Sequence, residues 1–146
     1  MILVPGDIAG HNVSRSLGET SSSYDYKYEN MLDTLTSVAH SIQQYFPNTL
    51  ILPTIGNNDT EFHYQSPDFG INKKSYYDTF FGSWFTDHQV NKEIANIREI
   101  ERTFKNGGYY RVDVSDQISI ISLSSNCYSF KSEIQDDVGQ LKWLEE

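Results

Sequence analysis

The sequence has little cysteine and few basic residues. Cys127 is the single cysteine, which excludes an internal disulfide framework. The 11 Lys and Arg residues are outnumbered by 20 Asp and Glu residues, giving a formal net charge of -9. A protein that neutralises nucleic-acid phosphates normally carries a basic face, so we predict no nucleic-acid partner.

Long apolar runs are also absent. No segment approaches the roughly 20 apolar residues that a membrane-spanning helix needs, so we predict no transmembrane segment. A length of 146 residues suits one domain with one hydrophobic core. The first residues already read as a buried strand and the last ones stop inside a helical pattern. We therefore expect residues 1–146 to be an incomplete domain whose N- and C-terminal portions are missing.

Two apolar runs predict strands that end in glycine and a polar residue. Residues 2–4 precede Gly6-Asp7, and residues 49–55 precede Gly56-Asn57. The first run has the pattern of a central strand covered on both faces. Between the runs we expect a long surface loop over residues 10–28, then an amphipathic helix from Asn30 that is stopped by Pro47. A strand, helix, strand unit has parallel strands, so Asp7 and Asn57 should share one sheet edge.

The second half predicts helices followed by a hairpin. Residues 75–104 carry apolar side chains at helical spacing and lead into Asn106-Gly107-Gly108, which indicates two helices and a glycine cap. Residues 109–114 and 118–123 have the pattern of two strands of a hairpin. The aromatic side chains between Tyr76 and Phe85 could form a substrate wall, but an aromatic stripe at this spacing favours core.

The two glycine-containing turns carry residue types that suit metal binding. The carboxylate of Asp7 could bridge two metal ions, because its two oxygens point in different directions. The amide oxygen of Asn57 is a neutral ligand that the preceding glycine could aim. Taken alone, the Gly6-Asp7 motif favours an ordinary tight turn, and the Gly56-Asn57 motif is as compatible with an ordinary polar turn as with a ligand.

Taken together, the motifs resemble a known family. Gly6-Asp7-Ile8-Ala9-Gly10-His11, a helix, a strand and then Gly56-Asn57-Asn58-Asp59 resemble the calcineurin-like metallophosphoesterases, and more narrowly the acid sphingomyelinase-like phosphodiesterases and endopolyphosphatases. Residues 118–126 resemble the family's core strand ending in Asn, and residues 140–144 resemble the following helix. The implied fold is α/β, namely part of a four-layer α/β/β/α sandwich with mixed sheets that lacks its first strand and its C-terminal part.

The resemblance also implies roles for individual residues. Asp7 would bridge two divalent metal ions, with zinc the expected metal, and Asn57 would ligate one of them. His11 would be the catalytic acid that protonates the leaving group. Most family members have His at the position of Asn58, whose amide cannot act as an acid but can bind substrate by donating a hydrogen bond to a phosphate oxygen. Asp59 usually orients that His, so its role here stays open.

The implied function is hydrolysis of phosphate esters by a metal-activated hydroxide, of a phosphodiesterase, sphingomyelinase-like or polyphosphatase-like kind. The substrate would be a small phosphate ester, a phospholipid or a polyphosphate, and the compartment secreted, lysosomal or vacuolar. The family's Asp-x-His, lone His and Gly-His-x-His motifs do not occur in residues 1–146, so we expect this chain alone to be inactive or nearly so.

The sequence leaves two alternatives open. The first is a non-catalytic binding or regulatory protein on the same scaffold. The second is an unrelated α/β domain with chance motifs, in which Asp7 and Asn57 would lie far apart. Of the other histidines, His63 could line the same cleft or lie in a surface loop, and the position of His40 on the predicted helix favours a structural role.

Overall fold

The computed structural model describes residues 1–11, 13, 24–69, 72–129, 131 and 139–146. Within these ranges the chain is a mixed α/β structure. The helices are α1 (Tyr24–Tyr45), α2 (Lys73–Phe81), α3 (Ile97–Gly107) and α4 (Gln140–Glu145), and the strands are β1 (Ile2–Val4), β2 (Ile51–Pro53), β3 (Tyr110–Ser115) and β4 (Ile118–Ser122). The predicted α/β class is therefore confirmed.

The first sheet is the predicted parallel pair. β1 and β2 run parallel with Ile2 opposite Ile51, and the Thr54 amide N–H continues the ladder to the Val4 carbonyl at 2.8 Å. Parallel strands reach the same sheet edge with the same polarity, so the turns that follow β1 and β2 lie side by side. One expectation was wrong: Leu3 is 54% exposed, so β1 is not covered on both faces by the described residues.

The helix α1 ends at Tyr45, before Pro47, as predicted, but it begins earlier than Asn30. Residues 24–28 are helical, which corrects that part of the predicted loop, and most of the remaining loop lies outside the described residues. The reason is Tyr28, which is buried three positions before Met31 and extends the apolar face that continues to Leu35. The polar hydroxyl of Tyr28 favoured a loop in the sequence-based prediction, although the residue is buried in the core.

The aromatic core lies between α2 and α3. Phe104 is completely buried, and its ring contacts aromatic side chains of α2, of the following π-helical turn Gly82–Thr86 and of β3 at centroid distances of 5.4 to 6.1 Å. The preference for core over a substrate wall is confirmed. The predicted glycine cap is also present, since Gly108 has φ of 78° and donates its N–H to Phe104 at 2.7 Å.

The second sheet is the predicted antiparallel hairpin. β3 and β4 pair from Tyr110 opposite Ser122 to Ser115 opposite Ile118. Two side-chain contacts connect the hairpin to the first sheet: the Tyr110 hydroxyl donates to the Pro53 carbonyl at 2.6 Å, and the hydroxyls of Thr54 and Ser122 are 3.0 Å apart. The hairpin therefore ends beside the turn that follows β2. Among the described helices, none is both long and apolar enough to cross a membrane.

Candidate functional site

The candidate site is the place where the turns after β1 and β2 meet, here called the loop edge and defined as residues 6–7 and 56–59. The two turns touch through their backbones. A methyl group on Gly6 would lie 2.5 Å from the Gly56 nitrogen, and one on Gly56 would overlap the backbone nitrogen and carboxylate of Asp7. Gly6 also has φ of 94°. Glycine is required at both positions because any side chain would separate the turns.

Asp7 is held against the second turn. Its carboxylate oxygen Oδ1 accepts the backbone N–H of Asn58 at 3.0 Å, and its backbone has φ of 53°, an uncommon value for a residue other than glycine. The side chain remains exposed to solvent. This contact contradicts the chance-motif alternative, which placed Asp7 far from the Gly56-Asn57 turn.

Asp59 connects the two turns through hydrogen bonds. Its side chain is completely buried, with Oδ1 accepting the Ala9 N–H at 2.7 Å and Oδ2 accepting the Gly56 N–H at 2.9 Å. Burial raises the pKa of Asp59 above its ordinary value, and the two backbone donors oppose that rise. The role left open by the sequence is therefore structural: Asp59 holds two backbone segments together.

Asn57 and His63 form a second contact in the site. The Asn57 side-chain nitrogen Nδ2 lies 2.9 Å from His63 Nε2 and donates to Asn58 Oδ1 at 3.4 Å. The His63 ring meets the His11 ring edge to face, with centroids 5.8 Å apart. All four predicted site residues, namely Asp7, Asn57, Asn58 and His11, are thus gathered around the loop edge. His63 lies among them, which favours the cleft-lining alternative.

His63 is fixed by its own neighbours. Its ring stacks on the Tyr64 ring with centroids 4.0 Å apart, and Lys131 Nζ lies 3.8 Å from the centroid of that same Tyr64 ring. Partial burial lowers the pKa of His63; the charges of His11 and Lys131 lower it further, and Asp7 opposes them. The neutral imidazole is therefore favoured, in which one ring nitrogen can accept a hydrogen bond.

Asn58 and Asn126 complete the surroundings. Asn58 is 5% exposed, so most of its surface is buried, and its predicted role in substrate binding stays a prediction. Asn126, which follows β4, donates its side-chain N–H to the Gly56 carbonyl at 3.1 Å. The sequence marked Asn126 only as the end of a family-like segment. His40 lies elsewhere, 3.6 Å from Asp87 on the exposed face of α1.

The described residues do not by themselves fit a metal centre. Asp7 and Asn57 offer oxygen donors at one edge, but no group of three or more His, Cys, Asp or Glu side chains in the described ranges could hold a metal ion. Protein zinc sites use three or four protein ligands. The loop edge can therefore supply two oxygen ligands of a metal centre, from Asp7 and Asn57, but not a complete set of ligands.

The known proteins that are similar to this chain include several phosphodiesterases. The chain is 31% identical over 150 residues to sphingomyelinase phosphodiesterase D and 30% identical over 149 residues to sphingomyelinase phosphodiesterase C, both from Dictyostelium discoideum, with 99% of the chain covered in each case. It is 26% identical over 125 residues, or 80% of the chain, to a cyclic GMP-AMP phosphodiesterase of Bos taurus. No protein-family model matches the chain.

These relatives support an acid sphingomyelinase-like phosphodiesterase family at the level of sequence similarity. The chain spans only 28% and 29% of the two Dictyostelium proteins and 25% of the bovine one. The similarity therefore concerns one part of much longer enzymes. It includes both turns of the loop edge, because nearly the whole chain is aligned with the two Dictyostelium proteins.

Proposed function

We propose that the protein hydrolyses phosphodiester bonds and that the loop edge is part of its active site. The observation that carries this proposal is the contact between Asp7 and the Asn58 backbone, because it joins two motif turns into one polar surface beside His11. The phosphodiesterase names of the similar proteins agree with that chemistry. A phospholipid headgroup, a small phosphate ester and a polyphosphate are the candidate substrates.

Asp7 and Asn57 would be the ligands that this chain contributes to two divalent metal ions, with zinc the expected metal. The remaining ligands would come from segments of the whole protein outside residues 1–146. When bound, such ions neutralise charge on the phosphoryl oxygens and activate water for attack on phosphorus. The net charge of -9 makes a local positive centre necessary if an anionic ester is to bind here.

His11 is the proposed acid. The residue is exposed, and its ring meets the His63 ring with centroids 5.8 Å apart, so a leaving-group oxygen would approach it from solvent. As the phosphorus–oxygen bond breaks, His11 would transfer its proton to the departing oxygen, while a water-derived hydroxide forms the new bond to phosphorus. The Asn58 amide would donate a hydrogen bond to a phosphoryl oxygen, which requires its N–H to turn toward the site from its buried position.

The complete scaffold is proposed to be the four-layer α/β/β/α sandwich of metallophosphoesterases, of which the two small sheets would be part. Residues 1–146 would accordingly be inactive or nearly so in isolation. The secreted, lysosomal or vacuolar compartment belongs to the same proposal. A complete protein of the relatives' length, containing this chain, would be the active form.

The test compares residues 1–146 with a longer protein that contains them. Each is assayed with bis(p-nitrophenyl) phosphate and with the monoester p-nitrophenyl phosphate, with and without added zinc. Metal-dependent diester hydrolysis by the long form is the expected result. Because p-nitrophenolate leaves with little need of a proton, the loss of about 100-fold or more for His11→Ala is expected with a phospholipid substrate, whose leaving group is unactivated. His40→Ala is the matched control, since His40 lies away from the loop edge.

The non-catalytic alternative makes the opposite prediction. It is favoured by the lack of a three-ligand group in the described ranges and by the amide at position 58. A long form that binds a phosphodiester analogue but hydrolyses none of the esters with any divalent metal would establish it.

A further inference from the structure

The Tyr64 ring lies between an imidazole and an ammonium group beside the loop edge. The His63 ring stacks on it with an interplanar angle of 25° and centroids 4.0 Å apart, and Lys131 Nζ lies 3.8 Å from the centroid of the same ring. Two groups this close to one centroid cannot share a face, so they lie on opposite faces of the Tyr64 ring. The ammonium is therefore one aromatic ring away from His63, whose own ring meets that of His11.

The backbones of Tyr64 and Lys131 are both held in place. Tyr64 has φ of 67°, and within the described residues Asp7 is the other non-glycine residue with positive φ. The Tyr64 N–H donates to the Asn57 carbonyl at 3.3 Å, which ties this uncommon conformation to the loop edge. The buried side chain of Gln65 donates its N–H to the Lys131 carbonyl at 2.7 Å. A segment distant in sequence is thereby attached to the turn that carries Tyr64.

The charge of Lys131 reaches the candidate site. Burial lowers the pKa of His63 most, and the charges of His11 and then Lys131 lower it further. The protein carries a formal net charge of -9, so a cation held beside the loop edge offsets a repulsion that an anionic group would otherwise meet. An ammonium group has donors and no acceptor, and it binds phosphate oxygens as a point charge. This place therefore favours an anionic group of a substrate.

The same arrangement disfavours a quaternary ammonium group. Proteins bind choline on open aromatic faces, but both faces of the Tyr64 ring are covered, one by His63 and the other by Lys131 Nζ. The positive charge of Lys131 also repels a second cation at short range. A phosphocholine group would therefore gain no ring contact here and would meet a like charge.

We propose that Tyr64 and Lys131 form a subsite for a second anionic group of the substrate, so that esters carrying a further phosphate are preferred to zwitterionic phosphocholine esters. Lys131 is the specificity-determining residue, and Tyr64 positions its ammonium. The inference rests on the proposed function in one respect, namely that the first phosphate is hydrolysed at the loop edge. Binding of a polyanion to the subsite can be measured without turnover.

Three variants separate the charge from the packing. Lys131→Met removes the charge and keeps a long unbranched side chain, Lys131→Arg keeps the charge and the ability to lie on a ring, and Tyr64→Leu removes the ring. Lys92→Met is the matched control, because Lys92 is exposed and follows Asn91, which contacts the start of β2 and not its end. The probes are inorganic tripolyphosphate and phosphocholine, titrated by calorimetry into metal-free residues 1–146 and into the metal-free longer protein.

We expect wild type, Lys131→Arg and Lys92→Met to bind tripolyphosphate more tightly than phosphocholine, with a preference that weakens as ionic strength rises. Lys131→Met and Tyr64→Leu should bind tripolyphosphate about 3- to 10-fold more weakly, between the loss of an exposed ion pair and that of a hydrogen bond to a charged group. Unchanged binding in Lys131→Met, an equal loss in Lys92→Met, or a wild-type preference for phosphocholine would overturn the subsite. Unfolding midpoints and recovery in Lys131→Arg separate loss of charge from an altered fold.

The second readout is hydrolysis by the longer protein of two diesters that share one leaving group. Thymidine 5′-(p-nitrophenyl phosphate) carries only the scissile phosphate, and its 3′-phosphorylated form carries one more. Lys131→Met should lower kcat/KM for the phosphorylated ester about 3- to 10-fold, mainly through KM, and leave the other ester unchanged. An equal loss for both esters would overturn the specificity role. Absence of hydrolysis of any ester by wild type would instead overturn the proposed function, while the titrations still decide whether the subsite exists.

Discussion

The loop edge and the aromatic core are both joined by residues distant in sequence, but they use different forces. Around Phe104 the contacts are between rings, which tolerate small shifts because dispersion and burial have little directionality. At the loop edge, Gly6 and Gly56 touch through backbone atoms, and Asp59 accepts two N–H groups from separate turns. These contacts depend on direction and on the absence of side chains. The difference suggests that the core sets stability and the loop edge sets the geometry of the site.

Asn91 gives the largest expected effect, because it makes directional hydrogen bonds within the core region, where most contacts are apolar. Its completely buried side chain accepts the Ile51 N–H at 3.1 Å and donates to the Trp84 carbonyl at 2.8 Å as well as to the Ile51 carbonyl. Asn91→Ala leaves three buried backbone groups without these partners, so we expect a loss of about 3 kcal/mol in the free energy of unfolding. Denaturant titration measures it.

The control for Asn91→Ala is Asn96→Ala, since Asn96 makes an exposed hydrogen bond to the Arg111 carbonyl at 3.0 Å. We expect it to cost no more than about 1 kcal/mol. Equal losses in the two variants would mean that the buried clamp contributes nothing beyond an ordinary surface hydrogen bond.

Gly56→Ala should damage the loop edge next most strongly. The added methyl group overlaps the Asp7 backbone and carboxylate, so the turns must separate, at a cost of about 2 kcal/mol. Gly10→Ala is the matched control, because among the described residues, its two chain neighbours aside, no atom lies within 4 Å of the methyl group it would add. Unfolding measurements that rank Gly10→Ala as the more harmful change would argue against backbone contact between the turns.

Asp59→Asn should have a smaller effect on stability. One carboxylate oxygen becomes an NH₂ group that faces a backbone N–H, either of Ala9 or of Gly56. Because one buried donor then loses its acceptor, we expect a loss of about 1 to 2 kcal/mol. Asp33→Asn, on the exposed face of α1, is the reference. A difference near zero between the two variants in thermal or denaturant unfolding would show that the hydrogen bonds of Asp59 do not stabilise the loop edge.

The smallest expected effect concerns Lys105, at the surface of the aromatic core. Its ammonium pairs with Asp78 at 2.8 Å and Glu101 at 2.7 Å, and the hydrogen bond from Lys105 lowers the pKa of Asp78. A lowered pKa stabilises the fold above the unfolded-state pKa of Asp78, and this contribution is lost as pH falls through the folded-state pKa. Both groups are exposed enough that Lys105→Gln should cost less than about 0.5 kcal/mol.

The check is the unfolding free energy of wild type and Lys105→Gln across the acid range. The two curves should differ slightly near neutral pH and converge in acid, whereas Lys92→Gln should follow wild type throughout. If the difference in unfolding free energy between wild type and Lys105→Gln grows as pH falls, the pair of Lys105 and Asp78 does not stabilise the fold in the predicted way.

Much of the fold could be predicted because its signals are local. The parallel strands β1 and β2, the end of α1 before Pro47, the cap at Gly108 and the β3–β4 hairpin follow from apolar period and turn residues. The early start of α1 was missed because Tyr28 has both polar and apolar character. The exposure of Leu3 depends on which elements surround β1, and a short apolar run does not record that.

The sequence predicted which residues lie at the site but not the hydrogen bonds between them. Asp7 and Asn57 could be placed at one edge because parallel strands share polarity. The pairing of Asn57 with His63, the clamp by Asp59 and the burial of Asn58 depend on how one turn folds back over six residues, from position 57 to position 63. Such directions come from hydrogen-bond geometry, which sequence spacing does not specify. The π-helical turn at Gly82–Thr86 was missed for the same reason.

The most direct test of the central claim is to measure turnover and stability together for Asp7→Asn in the longer protein. The amide keeps an oxygen that can accept the Asn58 N–H but removes the charge, so the turns should stay joined. We predict that hydrolysis of bis(p-nitrophenyl) phosphate falls by about 100-fold or more while the unfolding free energy changes by less than about 1 kcal/mol. Unchanged hydrolysis, in a variant as stable as wild type, would contradict the assignment of the loop edge to catalysis.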